Sequence, residues 1–156
     1  MLKISKVSSY MASVIYGIQQ ECFRPLLLKY KDYDINPSME SIERIVEKIQ
    51  RPDTDAYIFN LHGLNIGWVR VTQVEQYTYM ISALCILPEF QNRGYAQYAL
   101  KEIESYYPKA KKWILNTILE EDANLHLYEK LGYTRTGEIL IVNQYMTIID
   151  YEKNLT

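Results

Sequence analysis

The stretch from Tyr79 to Glu104 constrains the fold most, because it predicts a strand, a tight turn and a helix in immediate succession. Residues 83–87 are small or apolar and suit a buried strand, which Pro88 ends because proline has no N–H for the ladder. Apolar side chains then recur at helical spacing: Ala96, Ala99, Leu100, Ile103 and Tyr107. Such a turn points several backbone N–H groups at one space, which favours a phosphate or a pyrophosphate.

The turn has the sequence Gln91-Asn92-Arg93-Gly94-Tyr95-Ala96. Gly94 has no Cβ, so an anion can approach the main chain there, and Arg93 can add a positive charge at the rim. The glycines of a Gly-x-Gly-x-x-Gly fingerprint are missing, and no Gly-Lys-Ser/Thr follows, so dinucleotide-binding and Walker-type loops are excluded. Taken alone, this stretch also fits an ordinary strand–helix junction that contains a glycine.

The composition is that of an ordinary globular chain. Its 156 residues are 48% apolar and 23% charged, enough for one domain over residues 1–156. The formal charge of −2 gives no electrostatic reason to expect a nucleic acid partner. No secretory leader and no membrane-spanning apolar run is evident, so we expect no membrane partner and a cytoplasmic location. Cys22 and Cys85 lack metal-ligand spacing, and we expect no metal.

The whole chain predicts an α/β protein with the element order β-α-α-β-β-β-α-β-α-β-β. One mixed sheet with helices on both faces satisfies this order. The predicted strands cover residues 2–7, 56–61, 65–74, 76–87, 113–115, 133–137 and 139–150, with His62-Gly63 as a hairpin turn. Besides the helix after the turn, helices are predicted after Ser8 or Ser9, at Asn36-Pro37 and at Asp122; Pro25 interrupts the first and Gly132 ends the last. Met39 and Ile42 are expected to begin the buried stripe of the second helix.

Two motifs together resemble one known family. The spacing Gln-x-x-Gly-x-Ala, after a strand ending in Leu-Pro-Glu, resembles the acyl-CoA loop of the GNAT family of N-acetyltransferases. Residues 127–133, Leu-Tyr-Glu-Lys-Leu-Gly-Tyr, resemble the end of the last helix of the same family. The two motifs occur in the family's order with a strand between them, and the element order extends the resemblance over nearly the whole chain.

The resemblance implies a GNAT-like fold, a central mixed sheet whose two parallel strands splay apart, and acetyl transfer from acetyl-CoA to a primary amine. It implies that the main chain near Leu84 and Ile86 pairs with the pantetheine arm, while the amides of residues 91–96 bind the pyrophosphate. Asn116, at a strand end, is a further candidate for a polar contact with the cofactor.

By the same resemblance, Tyr128 is the general acid that protonates the departing thiolate. A phenol with an ordinary pKa of ~10 is protonated at neutral pH and can supply that proton. The alternative from helical spacing alone is that Tyr128 only packs between Leu125 and Leu131.

The general base stays open, because residues 76–88 contain no Asp or Glu and Glu75 precedes them in a predicted turn. Ser82 is too weak a base, so the candidates are Glu21, Asp32, Asp34 or a chain of water molecules. The histidines, His62 and His126, are expected at the surface. Tyr30 and Tyr33, with Asp32 and Asp34, are candidates to line an opening that accepts a cation.

We therefore expect an N-acetyltransferase that uses acetyl-CoA and an amine of a small molecule, a peptide or a protein. A non-catalytic acyl-CoA-binding sensor or assembly module is the alternative, supported by the missing carboxylate on the strand before the turn. A nucleotide-phosphate binder using the same turn is a third possibility. The sequence leaves a homodimer open.

Overall fold

A computed structural model describes residues 1–155 of the chain. Its seven strands form one mixed sheet in the order β1-β2-β3-β4-β5-β7-β6. The strands are β1 (Leu2–Val7), β2 (Thr54–Leu61), β3 (Leu64–Glu75), β4 (Thr78–Ile86), β5 (Lys112–Ile118), β6 (Thr134–Ile141) and β7 (Thr147–Asn154). The helices are α1 (Ala12–Tyr30), α2 (Ile42–Ile49), α3 (Tyr95–Ser105) and α4 (Asp122–Lys130). The predicted α/β fold and its element order are confirmed.

The sheet is covered by helices on both faces. On one face, α1 and α2 bury apolar side chains such as Ile15 and Ile45 against Trp68 of β3. On the other face, α3 and α4 pack Leu100 and Leu125 against the rest of the core. This division follows from the period of two along the strands, which sends successive side chains of β3 to opposite faces. None of the helices in the described part of the chain is long and apolar enough to cross a membrane.

The central strands β4 and β5 separate after a short contact. They pair in parallel only where residues 78–80 meet residues 112–114. On its other side, β4 stays paired with β3, but the register shifts between Trp68, opposite Cys85, and Arg70, opposite Ser82. Ala83 lies within this bulge at φ 57°, a left-handed conformation that costs a residue with a Cβ on the order of 1–3 kcal/mol. The second half of β4 therefore borders an opening in the sheet.

Two helix predictions were wrong in detail. Pro25 does not interrupt α1, which runs on to Tyr30; the exposed proline ring is tolerated because buried neighbours such as Cys22 hold the helix in place. Asn36 caps only a short 3₁₀ turn, by accepting a hydrogen bond from the Ser38 amide, and α2 starts later.

The start of α2 at Ile42 is set by Ser41, whose side chain accepts a hydrogen bond from the Arg44 amide at 3.1 Å. A serine at this position satisfies one of the otherwise unpaired N–H groups of the first turn. Because the chain is extended at Glu40, Met39 and Ile42 are exposed and do not begin the buried stripe.

Of the two predicted turns that contain a glycine, one is present in the structure and the other is not. His62 and Gly63 form the predicted hairpin turn, with φ of 51° and 87°, as a two-residue turn of the primed type requires. Gly137, at φ 98°, instead lies in a bulge within β6, so the predicted break between residues 137 and 139 was wrong. The chain turns later, at residues 142–146, where the Asn143 side chain accepts hydrogen bonds from the Tyr145 and Met146 amides at 2.7 and 3.0 Å.

Candidate active site

The opening between β4 and β5 connects two cavities. The turn cavity, about 420 Å³, is bordered by the turn at residues 88–97 and by α4. The α2 cavity, about 670 Å³, is bordered by α2, by the end of α1 with residues 32–40, and by β3. Five residues border both cavities: Phe23, Leu26, Leu84, Asn124 and Tyr128. Any chemistry between a molecule in one cavity and a molecule in the other would therefore take place beside these five side chains.

The turn at the start of α3 has free amides. The prediction of free amides at residues 91–96 was wrong for Gln91, whose N–H donates to the Pro88 carbonyl at 3.3 Å. Within residues 1–155, the N–H groups of residues 92–97 donate no hydrogen bond to another main-chain group. No side chain caps the helix, whose N-cap residue is Gly94 at φ 83°. The positive end of the α3 dipole lies at the same place, so the turn favours a group that carries negative charge.

The side chains of the turn make different contacts. Gln91 donates a hydrogen bond from Nε2 to the Ile86 carbonyl at 2.9 Å, which ties the turn to the end of β4. Asn92 adopts a left-handed φ of 61° and, like Gly94, Tyr95 and Ala96, borders the turn cavity. The Arg93 guanidinium lies over the Phe90 ring, 5.6 Å from its centroid, and outside the cavity wall.

The turn cavity continues along the unpaired half of β4. Leu84 and Ile86 both border it, on the side where β5 has diverged. Main-chain groups that lack a neighbouring strand at this point can hydrogen-bond an extended ligand as a strand would. The geometry therefore suits a long, narrow molecule with an anionic group at the turn.

Tyr128 lies on α4 and is 7% exposed. Its ring packs at centroid distances of 6.0 Å from Tyr133 and 6.1 Å from Tyr151, so the packing expected from helical spacing is present. Yet the same residue borders both cavities, and no hydrogen bond to its hydroxyl is present in the described residues. Burial raises the pKa of this phenol well above its ordinary value, so it is protonated at neutral pH.

The two asparagines near the opening differ in position. Asn116 was expected at a strand end, but β5 continues to Ile118; the residue borders the α2 cavity and does not border the turn cavity. Asn124, which the sequence did not single out, borders both cavities from α4. Its position one helical turn before Tyr128 was the signal in the sequence, since residues four apart share a helix face.

The carboxylates considered from the sequence fall into two groups. Asp32 and Asp34 border the α2 cavity, whereas Glu21 and Glu75 are exposed and border neither cavity. Asp32 is 6% exposed, and its oxygens accept hydrogen bonds from Asn36 Nδ2 at 3.2 and 3.3 Å. Of the carboxylates considered from the sequence, Asp32 and Asp34 are therefore the candidates for a base in this cavity, whose wall also contains Glu40.

Four other expectations concern histidines and tyrosines. His62 and His126 are both exposed, as predicted, although His126 borders the turn cavity. Tyr30 does not line the opening, because it is buried and its hydroxyl donates to Glu121. Tyr33 is 57% exposed and lies outside the wall of the α2 cavity.

Comparisons with known proteins agree with this architecture. The sequence model of the acetyltransferase (GNAT) family matches residues 14–133. A search among curated proteins gave no match. The chain superimposes on an acetyltransferase from Thermus thermophilus with a TM-score of 0.77 and 15% identity, covering 99% of this chain and 97% of the other.

Two further solved structures contain coenzyme A. One is a PaiA N-acetyltransferase from Thermoplasma acidophilum in complex with coenzyme A, with a TM-score of 0.76, 16% identity and 99% coverage of both chains. The other is a spermidine N-acetyltransferase from Vibrio cholerae in complex with CoA and spermine, with a TM-score of 0.76, 17% identity, and coverage of 98% of this chain and 95% of the other. At these identities, the similarity shows a shared fold.

Proposed function

Since this chain belongs to the acetyltransferase (GNAT) family, we propose that it is an N-acetyltransferase that moves the acetyl group of acetyl-CoA to a primary amine. The acceptor is a small molecule or an amine of a peptide or protein. The observation that carries the proposal is the position of Tyr128 at the junction of the turn cavity and the α2 cavity.

In this proposal, acetyl-CoA occupies the turn cavity. The free amides of residues 92–97 bind its pyrophosphate, because they and the α3 dipole supply positive partial charge without a competing internal acceptor. The pantetheine arm extends along Leu84 and Ile86, where β4 has no strand partner on the β5 side. The thioester then lies at the end of the arm, beside Tyr128. CoA complexes of proteins with this fold support the assignment.

The chemical step is attack by a neutral amine from the α2 cavity on the thioester carbonyl. A C–N bond forms, the C–S bond breaks, and the sulfur leaves as a thiolate that takes the proton of the Tyr128 hydroxyl, which regains a proton from solvent before the next turnover. If the thiol of CoA kept its ordinary pKa of ~8.5, proton transfer to its thiolate from a phenol of raised pKa would be unfavourable. The desolvated cavity also raises the pKa of the thiol, which reduces this difference. Tyr128 therefore first stabilises the developing negative charge on sulfur by a hydrogen bond, and the proton moves afterwards.

The amine must lose two protons, one before attack and one as the amide forms. Asp32 and Asp34 are the proposed acceptors, because they are the carboxylates from the sequence analysis that border the α2 cavity. A pH profile distinguishes a base from a residue that only attracts the cationic amine. If Asp32 acts as a base, it shifts the acid limb of kcat; if it only attracts the amine, it changes KM alone.

The test is turnover of acetyl-CoA with a panel of amines by the wild-type protein and by Tyr128→Phe. The proposal expects acetyl-amide formation that falls by about 10²–10⁴-fold in the variant while acetyl-CoA binding is retained. Tight acetyl-CoA binding without turnover on any amine would instead favour a non-catalytic acyl-CoA binder. Equal stabilisation by ATP and acetyl-CoA would favour a nucleotide-phosphate binder.

A further inference from the structure

Arg70 is a cation without a protein partner in the wall of the α2 cavity. It lies on β3 opposite Ser82 of β4, and both residues border the cavity. No hydrogen bond or ion pair to its guanidinium is present among residues 1–155, although the side chain is half-buried. Burial lowers the pKa of Arg70, the direction expected for a cation that lacks a full countercharge. A guanidinium stays charged under all ordinary conditions, so this charge must be stabilised by something else.

The neighbouring carboxylate does not neutralise Arg70. Glu40 acts on Arg70 only at a distance, because its own oxygens are engaged by Lys48 in an ion pair and by Gln19 Nε2 at 3.3 Å. The other charges that act on Arg70 are Arg44 and Arg51, which repel it. This end of the cavity therefore has an excess of positive charge.

The acidic end of the cavity lies across the opening. Arg70 reaches the cavity from β3, whereas Asp32 and Asp34 follow the end of α1. That end of α1 is held to the turn between β6 and β7, because Asn143 Nδ2 donates a hydrogen bond to the Tyr30 carbonyl at 2.9 Å. Strands β4 and β5 lie between these two sides in the sheet. One cavity thus presents a carboxylate pair and an unpaired guanidinium at separate places.

We propose that the acceptor carries an anionic carboxylate or phosphonate group as well as its amine, and that Arg70 binds this group and so determines acceptor specificity. This inference rests on the proposed N-acetyltransferase function. The planar guanidinium can form two parallel hydrogen bonds with a carboxylate or a phosphonate. The amine then points toward the opening between β4 and β5, with the aspartates on the far side to attract it.

The distances along the sheet suit one small molecule. Leu84 lies two residues beyond Ser82 and one strand from Arg70, which places the backbone of Arg70 roughly 8 Å from the backbone of Leu84, along which the pantetheine arm is proposed to extend. An amino acid or a short aminoalkyl phosphonate can bridge this distance once the Arg70 side chain extends into the cavity. A polyamine, which has only cationic groups, would leave Arg70 unpaired and repelled.

The experiment measures acceptor binding by calorimetry to the protein saturated with CoA, so that no turnover is needed. Each acidic probe is compared with a partner that lacks the acidic group. The common amino acids are paired with their amides, and the ω-amino acids and aminoalkyl phosphonates are paired with the corresponding alkylamines. Spermidine is included as a polyamine. The two acidic series distinguish a carboxylate from a phosphonate. We expect at least one acidic probe to bind at least tenfold more tightly than its partner without the anionic group, and this advantage to disappear in Arg70→Gln.

Two variants serve as controls. Arg70→Lys keeps the positive charge but loses the two parallel N–H donors of the guanidinium, so it should keep part of the preference for the acidic probe. Arg135→Gln removes an exposed arginine of β6 and should leave that preference unchanged. CoA binding should be equal in all of them, which shows that the fold is intact. The inference is wrong if no acidic probe is preferred by the wild type, if spermidine is preferred, or if the preference persists in Arg70→Gln. Acidic probes that bind through Arg70 but are never acetylated would instead refute the proposed function and leave the specificity of the site standing.

Discussion

Gly94→Ala tests whether the conformation of the turn, and not merely its composition, forms the proposed pyrophosphate site. Gly94 has φ 83°, and a Cβ at this position would meet no atom within 4 Å. The cost of the substitution is therefore conformational rather than steric, on the order of 1–2 kcal/mol for an L-residue in the left-handed region. In a chain of this length, we expect a loss of roughly 2–4 °C in Tm for each kcal/mol.

The same cost should appear in acetyl-CoA binding. If the turn relaxes to a negative φ, the amides of residues 92–97 no longer point to one place, and binding must restore the strained form. About 1.4 kcal/mol corresponds to a tenfold weaker Kd. The assays are thermal unfolding without ligand and calorimetric titration with acetyl-CoA.

Gly17→Ala is the matched control. Gly17 lies in the exposed part of α1, and a Cβ there would also meet nothing within 4 Å. Its conformation is helical, so alanine should stabilise the protein by about 0.5–1 kcal/mol and leave acetyl-CoA binding unchanged. The reasoning is refuted if the two substitutions change stability in the same direction, or if Gly94→Ala binds acetyl-CoA as tightly as the wild type.

Three further predictions concern the opening and the fold around it. Tyr128→Phe should change the free energy of unfolding by less than about 0.5 kcal/mol in urea titrations, because its hydroxyl has no partner in the described residues; a larger loss would mean that the hydroxyl is held within the protein. Because burial raises the pKa of Tyr128 and Tyr133, the unfolded chain releases these protons first, so the contribution of these two tyrosines to stability should be constant below about pH 9 and fall above the ordinary tyrosine pKa of ~10. Tyr128→Phe should lose less stability between pH 9 and 11 than the wild type, and an equal loss would contradict the assignment. Asn143→Ala removes bonds to two amides and to the Tyr30 carbonyl and should cost about 1–2 kcal/mol in urea unfolding; Gln144→Ala, at the exposed neighbouring position, should cost little, and similar losses for both would count against it.

The sequence predicted most of the architecture because local periodicity and turn chemistry agreed with the final packing. The hairpin at His62-Gly63 and the strand–turn–helix around Gly94 are local features whose residue types allow few alternatives. The error at the start of α2 arose because two local signals competed. Asn36-Pro37 and Ser41 both predict a helix start, and the extended backbone at Glu40 decided in favour of Ser41.

The α2 cavity could not be predicted in this way, because it depends on elements that are distant in the sequence. The bulge at Ala83 has no local signal, since alanine rarely adopts φ 57° unless the surrounding structure imposes it. Arg70 did carry a weak signal. It shares a strand face with the fully buried Trp68, two residues before it, so a charged residue there required either a partner or a cavity.

A crystal structure with bound acetyl-CoA tests the central proposal most directly. We predict that pyrophosphate oxygens lie about 3 Å from the amide nitrogens of residues 92–97, and that the Tyr128 hydroxyl lies within hydrogen-bond distance of the thioester sulfur. The proposal is contradicted if the pyrophosphate binds elsewhere, or if the Tyr128 hydroxyl donates to a protein group and turns away from the sulfur.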